Sequence, residues 1–303
     1  MSTRVTAEAD WTQRPERGSL PIVRFMAWLS LTMGRSASRV LLRLIAIYFL
    51  VTGGSARRHT ATFLERALGR RPTSVDAYRL LFAFSSTLHD RIYLLRGRFD
   101  LFEIEVKGAE LFGPEGALLM GGHMGSFEAL RACGRQIGQR RVVMAMYQVN
   151  TRFLNAVLGD VSPEALRDIV ELGRPQSMLE LAARLEEGAL VGMLADRTLG
   201  NEPSIPVPFL GRDAPFPTGP MRIAAALRRR VIFMVGLYRG GNRYEIRFEP
   251  LADFTNLEAI NREARDAAVR DAVTRYAGRL EQCAREAPDN WFNFHDFWGE
   301  AKQ

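Results

Sequence analysis

Between Arg57 and Arg98 apolar residues recur at spacings of three and four, with Arg and Glu between them. Phe63, Ala67 and Leu68 form one such set and Tyr78, Leu81, Phe82 and Phe84 another, a rhythm that predicts helices. The rhythm then changes. Phe102 to Val106 alternates like an edge strand, whereas Ala117 to Met120 is an unbroken apolar run that reads as a buried one. Further on, Glu128 to Ile137 predicts a helix, Val142 to Tyr147 a strand, Ser177 to Glu187 a helix and Ala189 to Ala195 a buried strand. Met221 to Arg229 is helical in pattern, Val231 to Leu237 and Tyr244 to Phe248 read as paired strands, and Glu258 to Glu286 as a long helix. Strands alternating with helices predict an α/β fold, with a central, largely parallel sheet covered on both faces.

The N-terminal region departs from this pattern. Residues 1–19 are polar, carry Pro15 and Gly18 and lack the apolar stretch of a signal peptide, so a mobile tail is expected there. Two apolar pieces follow, Ile22 to Met33 and Val40 to Val51, joined by a polar connector at residues 34–39. Each is shorter than the roughly 20 residues of a spanning helix, and Arg24 and Arg43 interrupt them. Phe25, Trp28, Leu29, Leu44, Ile47 and Tyr48 mixed with Arg suit an amphipathic helical hairpin. Its place is either a bilayer interface or the protein's own core. The expected organisation is a tail at 1–19 and a single domain over 20–303, whose residues 20–55 associate with a membrane.

Composition narrows the function classes. With 303 residues, 47% of them hydrophobic, the chain can bury one large core. The net charge of +7 comes almost wholly from Arg, since Lys occurs only at Lys107 and Lys302. No zinc-finger spacing or aromatic RNA-binding motif accompanies that charge, so no nucleic-acid partner is expected. An anionic membrane surface makes better use of it. Cys133 and Cys283 are too few and too far apart for a disulfide framework and read as small buried residues. His59, His89 and His295 fall in no metal-ligand spacing, and no metal is expected.

Candidate chemistry concentrates where the buried run at residues 118–120 ends in Gly121-Gly122-His123-Met124-Gly125-Ser126-Phe127-Glu128. On one regular helix, positions five apart diverge by roughly 140°, so His123 and Glu128 can meet only if the glycines make a turn between strand and helix. A His just before a helix N-terminus is favoured in its neutral form, and Glu128 is placed to hold its proton-bearing nitrogen. No protein nucleophile accompanies the pair: Ser126 is near, but the Gly-x-Ser-x-Gly pattern is absent. The nucleophile must then come from the substrate. That fits acyl transfer to an acceptor hydroxyl with His123 as general base, the amides near Gly125 and Ser126 receiving the oxyanion.

Asp196 and Arg197 end a buried strand, where open α/β sheets place ligand-contacting residues. Arg197 has two open readings, a bidentate grip on an acceptor phosphate or carboxylate and a structural pairing. The Pro-rich stretch from Pro203 to Pro220 reads as a stiff loop in which Phe209 and Phe216 look exposed, either an apolar wall for an acyl chain or a packed surface loop. Thr218 is placed to cap the following helix.

The glycine-flanked His-x-x-x-x-acid motif resembles that of glycerolipid-type acyltransferases, and its neighbours bring it closer to the late acyltransferases of lipid A biosynthesis. Gly122 to Glu128 fits the family's Gly-His-x-Gly-x-x-Glu pattern. The resemblance continues at 195–197, 207–211 and 216–220, and ends at Pro288-Asp289-Asn290-Trp291-Phe292-Asn293-Phe294-His295. It implies a catalytic dyad of His123 and Glu128, and a thioester on acyl carrier protein or coenzyme A as co-substrate, with no other cofactor. It also implies a membrane lipid acceptor and a place on the cytoplasmic face of the inner membrane. Two departures stand out: Arg197 follows Asp196 where Gln or His is common in the family, and the N-terminal hydrophobic segment is weak. A thioesterase, an N-acyltransferase and a non-enzymatic lipid-binding protein are the alternatives.

Overall fold

The computed structural model describes residues 28–130, 134, 137, 140–147, 167–198, 202–257 and 261–299. The expected tail at 1–19, the start of the first apolar piece, Cys133 with most of the helix expected after Glu128, and residues 258–260 of the last helix lie outside the described residues.

Seven strands form one mixed sheet: β1 (Glu103–Lys107), β2 (Ala117–Gly121), β3 (Val142–Tyr147), β4 (Ile169–Leu172), β5 (Leu190–Leu194), β8 (Arg230–Tyr238) and β9 (Arg243–Asp253). Their spatial order is β1-β9-β8-β2-β5-β3-β4. Every neighbouring pair is parallel except β8 with β9, which are joined by a tight turn through Gly240 and Gly241, both at positive φ. That one hairpin reverses β9 and β1 against the other five strands. The expected α/β architecture is present, with β1 at the edge and the wholly buried β2 at the centre.

Helices flank the sheet: α1 (Arg35–Thr52), α2 (Gly54–Leu68), α3 (Ser74–Leu95), α4 (Pro175–Glu186), α5 (Gly219–Ala226) and α6 (Arg262–Glu286). The start of α3 is written in the sequence as Thr73-x-x-Asp76. The Thr73 hydroxyl accepts from the Asp76 amide while the Asp76 carboxylate accepts from the Thr73 amide, and Arg70 closes the box. The α6 helix packs on α2, α5 and β9 and brings Tyr276 and Leu280 under the centre of the sheet.

The N-terminal helices differ in detail from the sequence expectation. Residues 28–33 are helical, but the break is Gly34 alone, at φ 80, and α1 already starts at Arg35. Ser38, Leu42 and Ala46 form its buried stripe, while Val40, Leu44, Ile47, Tyr48 and Val51 form an exposed apolar one. At Gly53 the chain bends by 95° into α2. Among the described residues no single helix is long and apolar enough to cross a membrane.

The stretch expected to be a stiff loop is instead a two-stranded antiparallel hairpin, β6 (Ser204–Phe209) and β7 (Arg212–Pro217). Leu210 and Gly211, at φ 51 and 81, supply the left-handed pair that a tight hairpin turn requires. An isolated hairpin has two edges, so its prolines cost little pairing. Its alternation turns Val207, Phe209, Ala214 and Phe216 inward. Phe209 and Phe216 are both 0% exposed and pack edge to face at 5.3 Å, Phe209 also lying 5.2 Å from the Trp291 ring. These rings belong to the core, which corrects their reading as an exposed wall. Thr218 does sit at the start of α5, but its hydroxyl donates to Pro203 O at 3.1 Å and caps no helical amide.

Candidate active site

Parallel pairing of β2 with β5 sets Gly121 opposite Leu194. Two residues further along each strand stand His123 and Asp196, at the C-terminal ends of adjacent central strands. A Cβ on Gly122 would lie 3.3 Å from Asp196 Cγ and 3.2 Å from Tyr276 Oη, so a residue without a side chain lets the two strand ends close together. Beneath them, Gly121 O accepts from the Ala195 amide at 2.9 Å and from Tyr276 Oη at 2.7 Å.

Asp196 is fully buried and holds His123 twice. Its Oδ2 accepts the His123 backbone amide at 2.9 Å, and its Oδ1 lies 2.8 Å from His123 Nδ1. Trp291 Nε1 donates to Oδ2 at 3.0 Å. Burial opposes the charge on Asp196, but the His123 ring, the Arg197 guanidinium and the His123 amide outweigh it and hold the carboxyl well below the usual range. An ionised carboxylate only accepts, so Nδ1 of His123 carries the proton and Nε2 keeps its lone pair. Burial and the Arg197 guanidinium push the His123 pKa below its ordinary value, against the pull of Asp196, and Arg91 adds to the depression. The side chain is 30% exposed and Nε2 makes no hydrogen bond among the described residues. The geometry is that of a neutral imidazole oriented by a buried carboxylate with its basic nitrogen open.

Glu128 is placed differently from the expectation. Its carboxylate is bound by Arg91 of α3, through both Nε and Nη2. The carboxylate on His123 in this structure is therefore Asp196, and Glu128 reaches the site through Arg91, whose charge is felt at the imidazole. Gly125 and Ser126 are also spent on the fold. The Gly125 amide donates to Asn290 O at 2.8 Å and the Ser126 amide to Gly236 O at 2.7 Å, so neither N–H is available to an oxyanion. The Ser126 hydroxyl accepts from the Ala129 amide at the start of the next helix.

The C-terminal segment closes the site. Met124 and Trp291 form an antiparallel bridge, Phe292 donates its amide to His123 O at 2.9 Å, and Arg197 Nη2 donates to Phe292 O at 2.8 Å. Of the two readings of Arg197, the described contact is this backbone carbonyl. Asn290 clamps the end of β8, accepting from Tyr238 N at 2.7 Å and donating to Tyr238 O. Burial and Arg197 push His295 down to about 3, so it too is neutral. Sequence reasoning missed Arg91 and the donor role of Trp291. The one signal was the place of Trp291 in the C-terminal motif; Arg91 shares its helix with the exposed Arg79 and carries no signal that sets it apart. Among the described residues no cluster of His, Cys, Asp or Glu is arranged to hold a metal ion.

The model of a protein family described as bacterial lipid A biosynthesis acyltransferase matches residues 94–300, which include His123, Glu128, Asp196, Arg197 and Trp291 but not Arg91. No curated protein sequence matches the chain. Among solved structures, the 1-acyl-sn-glycerophosphate (LPA) acyltransferase PlsC from Thermotoga maritima is similar at 15% identity and a TM-score of 0.37, over 82% of this chain and 98% of that one.

Proposed function

The chain belongs to the bacterial lipid A biosynthesis acyltransferase family, and on that premise we propose that it transfers a fatty acyl group from a thioester, on acyl carrier protein or coenzyme A, to a hydroxyl of a membrane lipid acceptor. The observation that carries this reading is the open Nε2 of a neutral His123 whose Nδ1–H is held by Asp196.

In this mechanism Nε2 takes the proton of the acceptor hydroxyl as its oxygen attacks the thioester carbonyl carbon. Asp196 stabilises the imidazolium that forms, and the charges of Arg197 and Arg91 favour the developing oxyanion. Collapse of the tetrahedral intermediate breaks the C–S bond, and the leaving sulfur takes the proton back from Nε2. The products are an ester and a free thiol. No group besides the two substrates is needed to balance the step, so no further cofactor is invoked.

The exposed apolar stripe of α1 beside its arginines supports a peripheral or monotopic place on an anionic membrane, on the cytoplasmic face of the inner membrane where carrier thioesters are made. The test is incubation of labelled acyl carrier protein thioester with bacterial membrane lipid, using wild type and His123→Ala. A labelled lipid, cleaved by mild base and made only by wild type, supports O-acyl transfer. Free fatty acid alone would replace it with hydrolysis, and a base-stable product with transfer to an amine.

A further inference from the structure

Arg35, Arg39 and Arg43 recur every four residues along α1 and so share one side of that helix. Together with Ser36, Gly241 and Asn242 they line an open groove of about 450 Å³ between α1 and the β8–β9 turn, and no carboxylate lines it. Glu103 stands at its rim, its carboxylate 3.4 Å from Asn242 Nδ2, and Asp90, behind it, is fully buried and already committed. It accepts both arms of the Arg35 fork at 2.8 Å and the Tyr244 hydroxyl at 2.8 Å. Arg35 also lies over the Phe102 ring at 4.7 Å. Arg39 is fixed by a 2.6 Å bond from Nη2 to Tyr238 Oη, while its Nη1, shielded from water, makes no hydrogen bond and is paired with Asp90 Oδ2 only at 3.9 Å. Arg43 has neither an ion pair nor a hydrogen bond among the described residues. Three guanidinium groups thus outnumber the two carboxylates beside the groove, Asp90 and Glu103, and two of the three are held in place before any ligand arrives.

Two positions in the fold identify what an anion here would belong to. The same helix exposes Val40, Leu44, Ile47, Tyr48 and Val51, so charge and apolar surface lie side by side, as a lipid headgroup and its chains do. The groove also lies beyond Tyr238, at the C-terminal end of β8, and β8 runs parallel to β2, whose C-terminal end leads into His123.

We propose that this groove is a subsite for the phosphate of an anionic membrane phospholipid, bound while the apolar stripe of α1 lies in the bilayer, so that the His123 end of the sheet is held toward the lipid surface. The proposal rests on the membrane-surface part of the functional reading and adds to it a defined anion site.

The test is co-sedimentation of the full chain with phosphatidylcholine vesicles with or without phosphatidylglycerol. Arg39→Gln/Arg43→Gln should weaken capture by the anionic vesicles about 25-fold, at about fivefold per guanidinium, and leave capture by neutral vesicles unchanged. Arg43→Glu, at an exposed and unpartnered position, should weaken anionic capture alone even if the double variant folds poorly. Arg262→Gln/Arg265→Gln removes the same charge from α6 and should change capture less than twofold. Equal losses from both double variants would mean diffuse attraction and overturn the site. Saturable binding of inorganic phosphate without preference for anionic vesicles would overturn its assignment to lipid. The capture readout is separate from turnover. Arginine-dependent capture by a protein that transfers no acyl group would sink the enzymatic reading alone, and normal transfer with arginine-independent capture would sink the groove alone.

Discussion

His123 Nδ1 and Asp196 Oδ1 meet at 2.8 Å although 73 residues separate them in the chain. The distance is closed by register: β2 and β5 are parallel neighbours with Gly121 opposite Leu194, and each residue lies two positions beyond. A carboxylate brought in this way is fixed by the sheet itself, and the Trp291 indole and the His123 amide hold its second oxygen. Glu128, nearer in sequence, is turned to Arg91.

Asp196→Asn is therefore expected to lower kcat by about 10⁴-fold, because an amide no longer fixes the tautomer that leaves Nε2 basic. Glu128→Gln, which leaves Arg91 charged but loosens the pair that positions it, is expected to cost about 10-fold. Steady-state rates of both variants decide between them. The reverse order, with Glu128→Gln the more damaging, would return the orienting role to Glu128.

The pH profile tests the protonation state of His123. Burial and Arg197 lower its pKa, so the base is competent at and above the ordinary histidine range. The acid limb of kcat/KM should fall below the ordinary histidine value of about 6.5, with a plateau through pH 7–8. A limb centred above 6.5 would contradict the depressed pKa.

Six of the seven strands of the sheet and the His123 turn were legible in the sequence because they rest on local signals, unbroken or alternating apolar runs and paired glycines, whereas the short edge strand β4 (Ile169–Leu172) was not foreseen. Strand order is not local. Nothing in residues 117–123 or 190–196 states that those two strands are neighbours, so Asp196 was legible as a strand-end ligand position and not as the partner of His123. The Phe209 and Phe216 rings were misread for a related reason. Proline density around them signals a loop, whereas a hairpin whose strands have no second neighbour tolerates Pro206 and Pro215 opposite each other. The family motif named Glu128 by proximity, and only the position of Arg91 on α3 shows what that carboxylate binds.

Stability should fall in acid through His295. Its folded pKa is about 3, whereas the unfolded side chain titrates near 6.5. As pH falls the unfolded chain takes the proton first, so stability present above pH 6.5 is lost between 6.5 and 3, at about 1.4 kcal/mol per pH unit. Asp196, also depressed, adds a loss of the same sign below its ordinary carboxylate range. Denaturant titrations at pH 7.5, 6 and 5 should show the decline, and His295→Gln should flatten it. A His295→Gln slope equal to that of wild type would assign the loss to other groups.

Gly125 is the residue by which the His123 turn is joined to β8. It sits at φ 66, and a Cβ there would meet Gly236 O at 1.9 Å, while one on Gly236 would meet Ser126 O at 2.3 Å. Gly125→Ala combines a left-handed residue with a backbone clash and should destabilise the protein by more than about 2 kcal/mol, read as a shift in the unfolding midpoint. An unchanged midpoint would mean that this contact does not hold the turn.

Trp291→Phe separates the packing of this residue from its hydrogen bond. The ring stays among Phe63, Phe209 and Phe297, which surround Trp291 at 4.8–5.2 Å, while the 3.0 Å N–H donated to Asp196 is lost. Deleting a donor to a buried carboxylate costs about 1.5–3 kcal/mol, so the carboxyl pKa should rise, though not enough to protonate it at neutral pH. With Asp196 still charged, the His123 tautomer survives, but the carboxylate loses one of the contacts that fix its rotamer. The expected result is a loss of stability of that size with a fall in kcat of only about 10-fold, far short of Asp196→Asn. Stability and kcat both at wild-type values would show that the indole N–H is not aimed at Asp196 in solution. A fall in kcat as deep as that of Asp196→Asn would show that Trp291 controls the orientation of the carboxylate outright.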